Sequence, residues 1–337
     1  MSRTVVDHPA GGGGQDGGVG DSRAIAARVS AAVADGSLDL PRPGCGQTGA
    51  RYRGLSALGR RDLSLARLAE GHVDAIAILA EAGRPPVPET WYGVWAASSS
   101  DARLRAEPVA GGWHLVGRKP FCSGATSVGR ALVTASSDGG DLVFEIDPTD
   151  AGVTPVPGTW PAIGMSGSDS QTLRFDVTVR ADDQVGPPGF YVGRPGFWWG
   201  AVGVAACWFG GAARLIDDTI DHLAKGDPGP HALADLGAMV AAGQAMASTL
   251  RWAADRFDDD PADAAGAARQ VATTARHVVH DRSVAVLAGA AAAGGARPLC
   301  HDGAHARVAA DLPVYLSQYH GGRDAAVIGR GALERGW

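Results

Sequence analysis

Gly112-Trp113-His114-Leu115-Val116-Gly117-Arg118-Lys119-Pro120-Phe121-Cys122-Ser123-Gly124 is the stretch on which the fold turns. It opens with a strand pattern at 113–116 and lies among similar short runs at 132–135, 142–146 and 172–179, separated by Gly, Asp and Pro turns. Residues 89–195 therefore read as a β domain. On the N-terminal side, residues 22–88 are helical, with apolar residues at three and four residue spacing in 24–33 and 63–79 until Pro85, Pro86 and Pro88 end the pattern. On the C-terminal side, residues 196–337 return to Ala-rich helical patterns at about 198–224, 231–257, 264–292 and 304–319, broken at 226–230 and 258–261. Residues 1–21 carry Gly11 to Gly14 and almost no apolar periodicity, which predicts a disordered tail.

Composition narrows the function. The chain has 337 residues, 45% hydrophobic and 20% charged, enough for two or three packed domains. A formal charge of -6 without a long Lys/Arg run gives nucleic acid or anionic lipid no footprint, so neither partner is expected. No 18-residue apolar run is expected to span a membrane and no signal peptide is read at the start, and 285–293 reads as a buried helix. Cys45, Cys122, Cys207 and Cys300 are far apart and follow no CxxC spacing, which fits free thiols in a cytoplasmic setting. Cys300, His301, Asp302 and His305 are metal-ligand types without zinc spacing, and no metal is expected. His277 and His280 read as satisfied histidines of a helical core or interface.

The order of helices, strands and helices resembles the acyl-CoA dehydrogenase family, and particular residues carry the resemblance. The run from Tyr92 to Asp101 is similar to the family's first flavin motif, Y-x-V-T-E-P-G-x-G-S-D with one deletion, matching at Tyr92, Val94, Ser100 and Asp101. The 112–124 stretch resembles the second, G-[YW]-x-[LI]-x-G-x-K-x-W-I-[TS]. Gly164-Met165-Ser166-Gly167-Ser168 with Leu173-Arg174-Phe175-Asp176 is similar to the last β-domain strands, and Gly294-Gly295 to the glycine pair before the final catalytic helix. The resemblance covers roughly residues 30–335 and implies an α+β fold with an N-terminal helical domain, a middle β-barrel and a C-terminal four-helix bundle. It also implies FAD as cofactor, an acyl thioester or similar small apolar substrate, and a homodimer or homotetramer. Phe121 would cover the isoalloxazine, Ser123 would bond its edge, and Ser100 would face substrate or flavin. Tyr92, Val94 and Trp95 complete the implied cofactor set, with Trp95 in place of the motif's threonine, either stacking on the ring or blocking the pocket. The plainer alternative makes 113–121 a buried barrel strand whose aromatics only pack.

The departures bear on the chemistry. Counting from Gly294-Gly295 and back from Arg330, the family's proton-abstracting glutamate falls on Gln318. A glutamine amide takes no proton near neutral pH, and losing a general base costs about two to four orders of magnitude in rate. The alternative base position, at the start of the first bundle helix, falls near Gly200, where no carboxylate is read. His320 is the first candidate to replace the base, or to steer protons in a monooxygenase of the same fold; the alternative is a polar residue at a helix end beside Gly321-Gly322. The R-x-x-F-G turn that clamps a neighbour's dinucleotide is replaced by 225–231, where only Lys225 offers a charge. The helix expected between Glu81 and Tyr92 is missing, which predicts an open site or one closed by a partner. These losses leave a non-catalytic binding or oligomerisation scaffold as the competing reading.

Overall fold

The structure is a computed structural model that describes residues 21–99 and 102–335. The tail expected at 1–21, apart from Asp21, and the proposed site residue Ser100 lie outside the described residues.

Three helices open the described chain: α1 (Ser22–Ala34), α2 (Thr48–Arg61) and α3 (Leu63–Glu81). Asp62 ends α2 and caps α3, its side chain accepting from the Leu65 N–H at 2.9 Å, a contact typically worth about 1 kcal/mol. Nearly every position of α3 from Leu63 to Leu79 is buried, so this helix runs through the middle of the molecule. No helix intervenes between α3 and the first strand, as expected.

Among the described residues seven strands follow: β1 (Tyr92–Trp95), β2 (Leu104–Val109), β3 (Gly112–Cys122), β4 (Arg130–Ser137), β5 (Gly140–Ile146), β6 (Val153–Pro155) and β7 (Gln171–Arg180). They form one sheet in the order β1-β4-β2-β3-β7-β6, with β5 on the other side of β4. Among the described residues β5 and β6 do not pair, so the expected barrel is a curled sheet with two ends. β6 has three residues and closes on Pro155, which has no N–H for a ladder. The outer edge of β5 is taken instead by the segment after β7, where the Val185 N–H donates to Val143 O and Phe144 bridges Gln184.

The remaining helices are the single turn α4 (Phe190–Gly193), then α5 (Gly196–Leu223), α6 (Pro230–Asp259), α7 (Ala268–Gly294), α8 (Ala296–His301), α9 (Gly303–Leu316) and α10 (Gly321–Arg335). The four long patterns read from sequence correspond to α5, α6, α7 and α9. The stretch after Gly321 continues as a further helix instead of ending one. α5 packs on α2, α3, α6, α7 and α9. By length and composition α5 could cross a membrane, contrary to the expectation that no such run exists, but 67% of its most apolar window is buried inside the protein, as in a core helix. Two loop approaches tie the sheet to the bundle. A Cβ on Gly164 would run into the carbonyl of Ala310 on α9, and Asp311 Oδ1 accepts from the Met165 N–H at 2.6 Å.

Candidate active site

A cavity of about 800 Å³ lies between the sheet and the helices, within the range of ligand sites in general. Its strand wall comes from β1, β3, β4 and the loop before β7, its helical wall from α3 and α5, and its mouth from the turn between α9 and α10.

The strand wall is built around a bulge. β3 and β7 pair in register from Gly112 to Lys119, then shift before Cys122. Pro120 cannot donate to the ladder, so the strand gives up its pairing there. Phe121 takes a left-handed backbone (φ 55°) and stays 56% exposed, with its ring in the cavity. A bulky residue in that region costs of order 1 kcal/mol or more and persists only where the surroundings impose it. Two residues on, Ser123 Oγ is 2.8 Å from Ser170 Oγ, itself 2.9 Å from Ser168 Oγ, giving a row of three hydroxyls facing the same space. Behind them, Lys119 is buried with Nζ donating to Thr134 O and Oγ1 at 2.6 and 2.7 Å, and burial pulls its pKa down to about 8.

Val94 lines the cavity. Trp95 follows it on β1 and therefore faces the other way. It is wholly buried, its indole N–H donating to Ser123 O at 3.0 Å, so it neither covers a ligand nor obstructs the pocket but props the Ser123 backbone from behind. Tyr92 is also fully buried away from the cavity, its hydroxyl donating to Glu145 at 2.7 Å and its N–H to His72 Nδ1 at 3.2 Å. Gln318 and His320 both line the mouth and are exposed, with buried Tyr319 between them. Tyr319 anchors that turn on α7, its hydroxyl 2.7 Å from His277 Nδ1, while Asp302 is spent on capping α9. Lys225 lies in the exposed turn after α5, outside the cavity lining.

No carboxylate is read at Gln318 or near Gly200, and the helical wall brings carboxylates to the cavity from α3 instead. Arg67, Glu70 and Asp74 of α3 all line the cavity, at a spacing that places them on one face of the helix. Arg67 donates to Glu70 Oε2 at 2.5 Å. Asp74 reaches across to α5 where a side chain is absent: a Cβ on Gly200 would lie 2.6 Å from Asp74 Oδ1. Arg194 is buried beside Asp74 Oδ2 (3.7 Å) and Glu81 Oε1 (2.8 Å). Burial raises the pKa of Glu70 to about 7 despite Arg67, and raises that of Glu81 despite Arg194. Burial likewise keeps the Tyr191 and Tyr315 phenols neutral. The sequence reading missed these carboxylates, because it is the burial of α3 on nearly every side that turns them inward.

The mixed α+β arrangement of the described residues matches the acyl-CoA dehydrogenase-like fold. Solved structures that share it include TdsC from Paenibacillus sp. A11-2 in complex with FMN and indole (TM-score 0.75, 19% identity, covering 93% of this chain and 96% of that one). Methanesulfinate monooxygenase MsuC from Pseudomonas fluorescens (TM-score 0.74, 17% identity, 93% and 96%) and an FAD-dependent dehydrogenase (TM-score 0.79, 14% identity, 93% of each) share it too. At these identities the likeness establishes the fold. No family model and no curated protein sequence matches the chain.

Proposed function

We propose that this chain is a flavin-dependent oxidoreductase that holds the isoalloxazine against Phe121 with its edge toward Ser123. The observation that carries the reading is Phe121 itself, an aromatic ring held by a strained backbone, over half exposed and inside a cavity. Packing alone gives no reason to maintain such a ring. The cavity size and the row of Ser123, Ser170 and Ser168 hydroxyls fit a planar heterocycle that needs one apolar face and donors at its edge. A bound flavin supplies acceptance or delivery of a two-electron equivalent. The chain's own residues cover it, bond its edge and, through α3 and α5, exclude water. The similar structures of TdsC with FMN and of an FAD-dependent dehydrogenase support the reading.

FAD is the flavin expected from the sequence resemblance. The missing arginine and phenylalanine of the dinucleotide turn make FMN an equal fit, so titration with each separates them. The substrate is a small, largely apolar molecule, an acyl thioester in the dehydrogenase reading. A monooxygenase reading is favoured by one specific observation, that the mouth of the cavity carries the Gln318 amide beside His320 and no carboxylate from that turn. We place the protein in the cytoplasm as a homodimer or homotetramer, without nucleic-acid or membrane partners. Absorbance of the purified chain titrated with FAD and FMN is the test. Saturable binding with a perturbed flavin spectrum is expected, and a colourless chain that takes up neither flavin sinks the enzyme in favour of the scaffold.

A further inference from the structure

The helical wall contains a group for which the fold alone gives no use. Asp74 is sealed off: Oδ1 is buried against Gly200 without a hydrogen-bond partner among the described residues, and Oδ2 lies 3.7 Å from Arg194. Glu81 binds Arg194 and accepts the Gly196 N–H. Asp141, the other carboxylate lining the cavity, is exposed at the start of β5. Glu70 differs from Asp74 in having one oxygen fixed by a hydrogen bond, and from Glu81 and Asp141 in lining the cavity while buried. It is 4% exposed, Oε2 is held by Arg67, and Oε1 accepts a hydrogen bond from no described residue while the side chain lines the cavity.

Resting on the flavin reading above, we propose that Glu70 is the acid–base group of this cavity, its free Oε1 exchanging a proton with the ligand while Arg67 positions the carboxyl. In the forward direction a C–H, N–H or O–H bond of the ligand breaks and its electron pair stays on the ligand. An O–H bond forms at Oε1, and Arg67 keeps its own proton. No electrons change hands in this step, and the reverse step restores the carboxylate.

The surroundings suit a group that must serve in both forms. Arg67 and Asp74 face Glu70 from α3, Arg51 from α2, Tyr191 from α4, Cys207 from α5, Arg276 from α7 and Tyr315 from α9. The tyrosines and Cys207 are kept neutral by burial, Arg51 is bonded to Pro41 O, and Arg276 is bonded to Ala201 O and stacked on Trp208. The cations draw the Glu70 proton away and burial holds it, which leaves the carboxyl balanced near neutral pH, where general acid–base groups work best. The function expected of a glutamate at the Gln318 turn is thus supplied from the opposite wall.

Two measurements test this. In the full chain without added flavin, pH-difference infrared spectra are expected to show a protonated-carboxyl band that is lost as the pH rises through about 7. Glu70→Gln abolishes that band and Glu70→Asp keeps one at a shifted midpoint. In flavin-loaded protein, the flavin midpoint potential plotted against pH is expected to bend in the same range, and Glu70→Gln removes the bend. A band still titrating near pH 7, or a bend in that range, that survives in folded Glu70→Gln overturns the proposal. If no flavin loads, the flavin reading fails, and the infrared result still decides whether Glu70 is the titrating group.

Discussion

The two walls of the cavity are built on opposite principles. Apart from exposed Asp141 at the start of β5, the strand wall is neutral, presenting the Phe121 and Trp160 rings and a row of hydroxyls from β3 and the loop before β7. The helical wall is charged, and its ions are paired inside the protein rather than in water. Substitutions in the first wall should therefore change what binds and leave folding almost untouched. Substitutions in the second should register first as lost stability, because a buried ion that loses its partner has no solvent to take its place.

Arg194 offers the largest effect by which to break that contrast. It is buried between Asp74 and Glu81, so Arg194→Ala leaves two carboxylates without their cation. A loss of about 3–5 kcal/mol in urea unfolding is expected, enough to threaten a domain of ordinary stability. A loss below about 1 kcal/mol would mean that the α3 charges are solvated and that the two walls do not differ as described.

The junction of the walls gives the next effect, through pH. Buried His72 of α3 accepts the Tyr92 N–H, and burial pulls its pKa down to about 4 from 6.5. The unfolded chain binds this proton more readily than the folded one between those values. Stability from this group is therefore fully present above about pH 6.5 and is lost as the pH falls toward 4, by about 3 kcal/mol at most. Glu70 acts in the opposite sense, since its raised pKa makes the folded state lose stability as the pH rises from 4.5 to about 7. His72→Gln keeps an acceptor and removes the titration. Its melting temperature should fall less between pH 6.5 and 4 than that of the parent chain, and an unchanged acid limb would count against the assignment.

The same contrast explains what the sequence disclosed. That Phe121 and Ser123 lie together on the cavity wall was legible because a strand presents neighbouring residues within a short contiguous run, and Pro120 marks where pairing must fail. The long helices were legible from apolar spacing, although the continuation past Gly321 was not, because two glycines read as an ending. Trp95 was misjudged for want of its facing: a one-residue step along β1 puts its side chain on the far side from Val94. Glu70 and Asp74 escaped because charges spaced along a helix ordinarily form a solvated face. Only the tertiary position of α3, buried on nearly every side, turns them inward.

The smallest effect discriminates best, because it separates binding from folding at one residue. Phe121 holds a left-handed backbone, which costs a bulky residue of order 1 kcal/mol and glycine almost nothing. Phe121→Gly relieves that strain but adds freedom to the unfolded chain, worth roughly 0.5–1 kcal/mol in the other direction. The ring is 56% exposed and contributes little to the core, so the two terms nearly cancel and the urea midpoint should stay close to that of the parent. Flavin affinity should nevertheless weaken by roughly five- to tenfold, about 1–1.4 kcal/mol, as the face of the heterocycle loses its aromatic partner. Phe121→Ala retains the strained backbone and should lose as much affinity with slightly less stability. If both variants bind flavin as the parent does, the ring lies elsewhere in the cavity and the strand wall loses its assigned part.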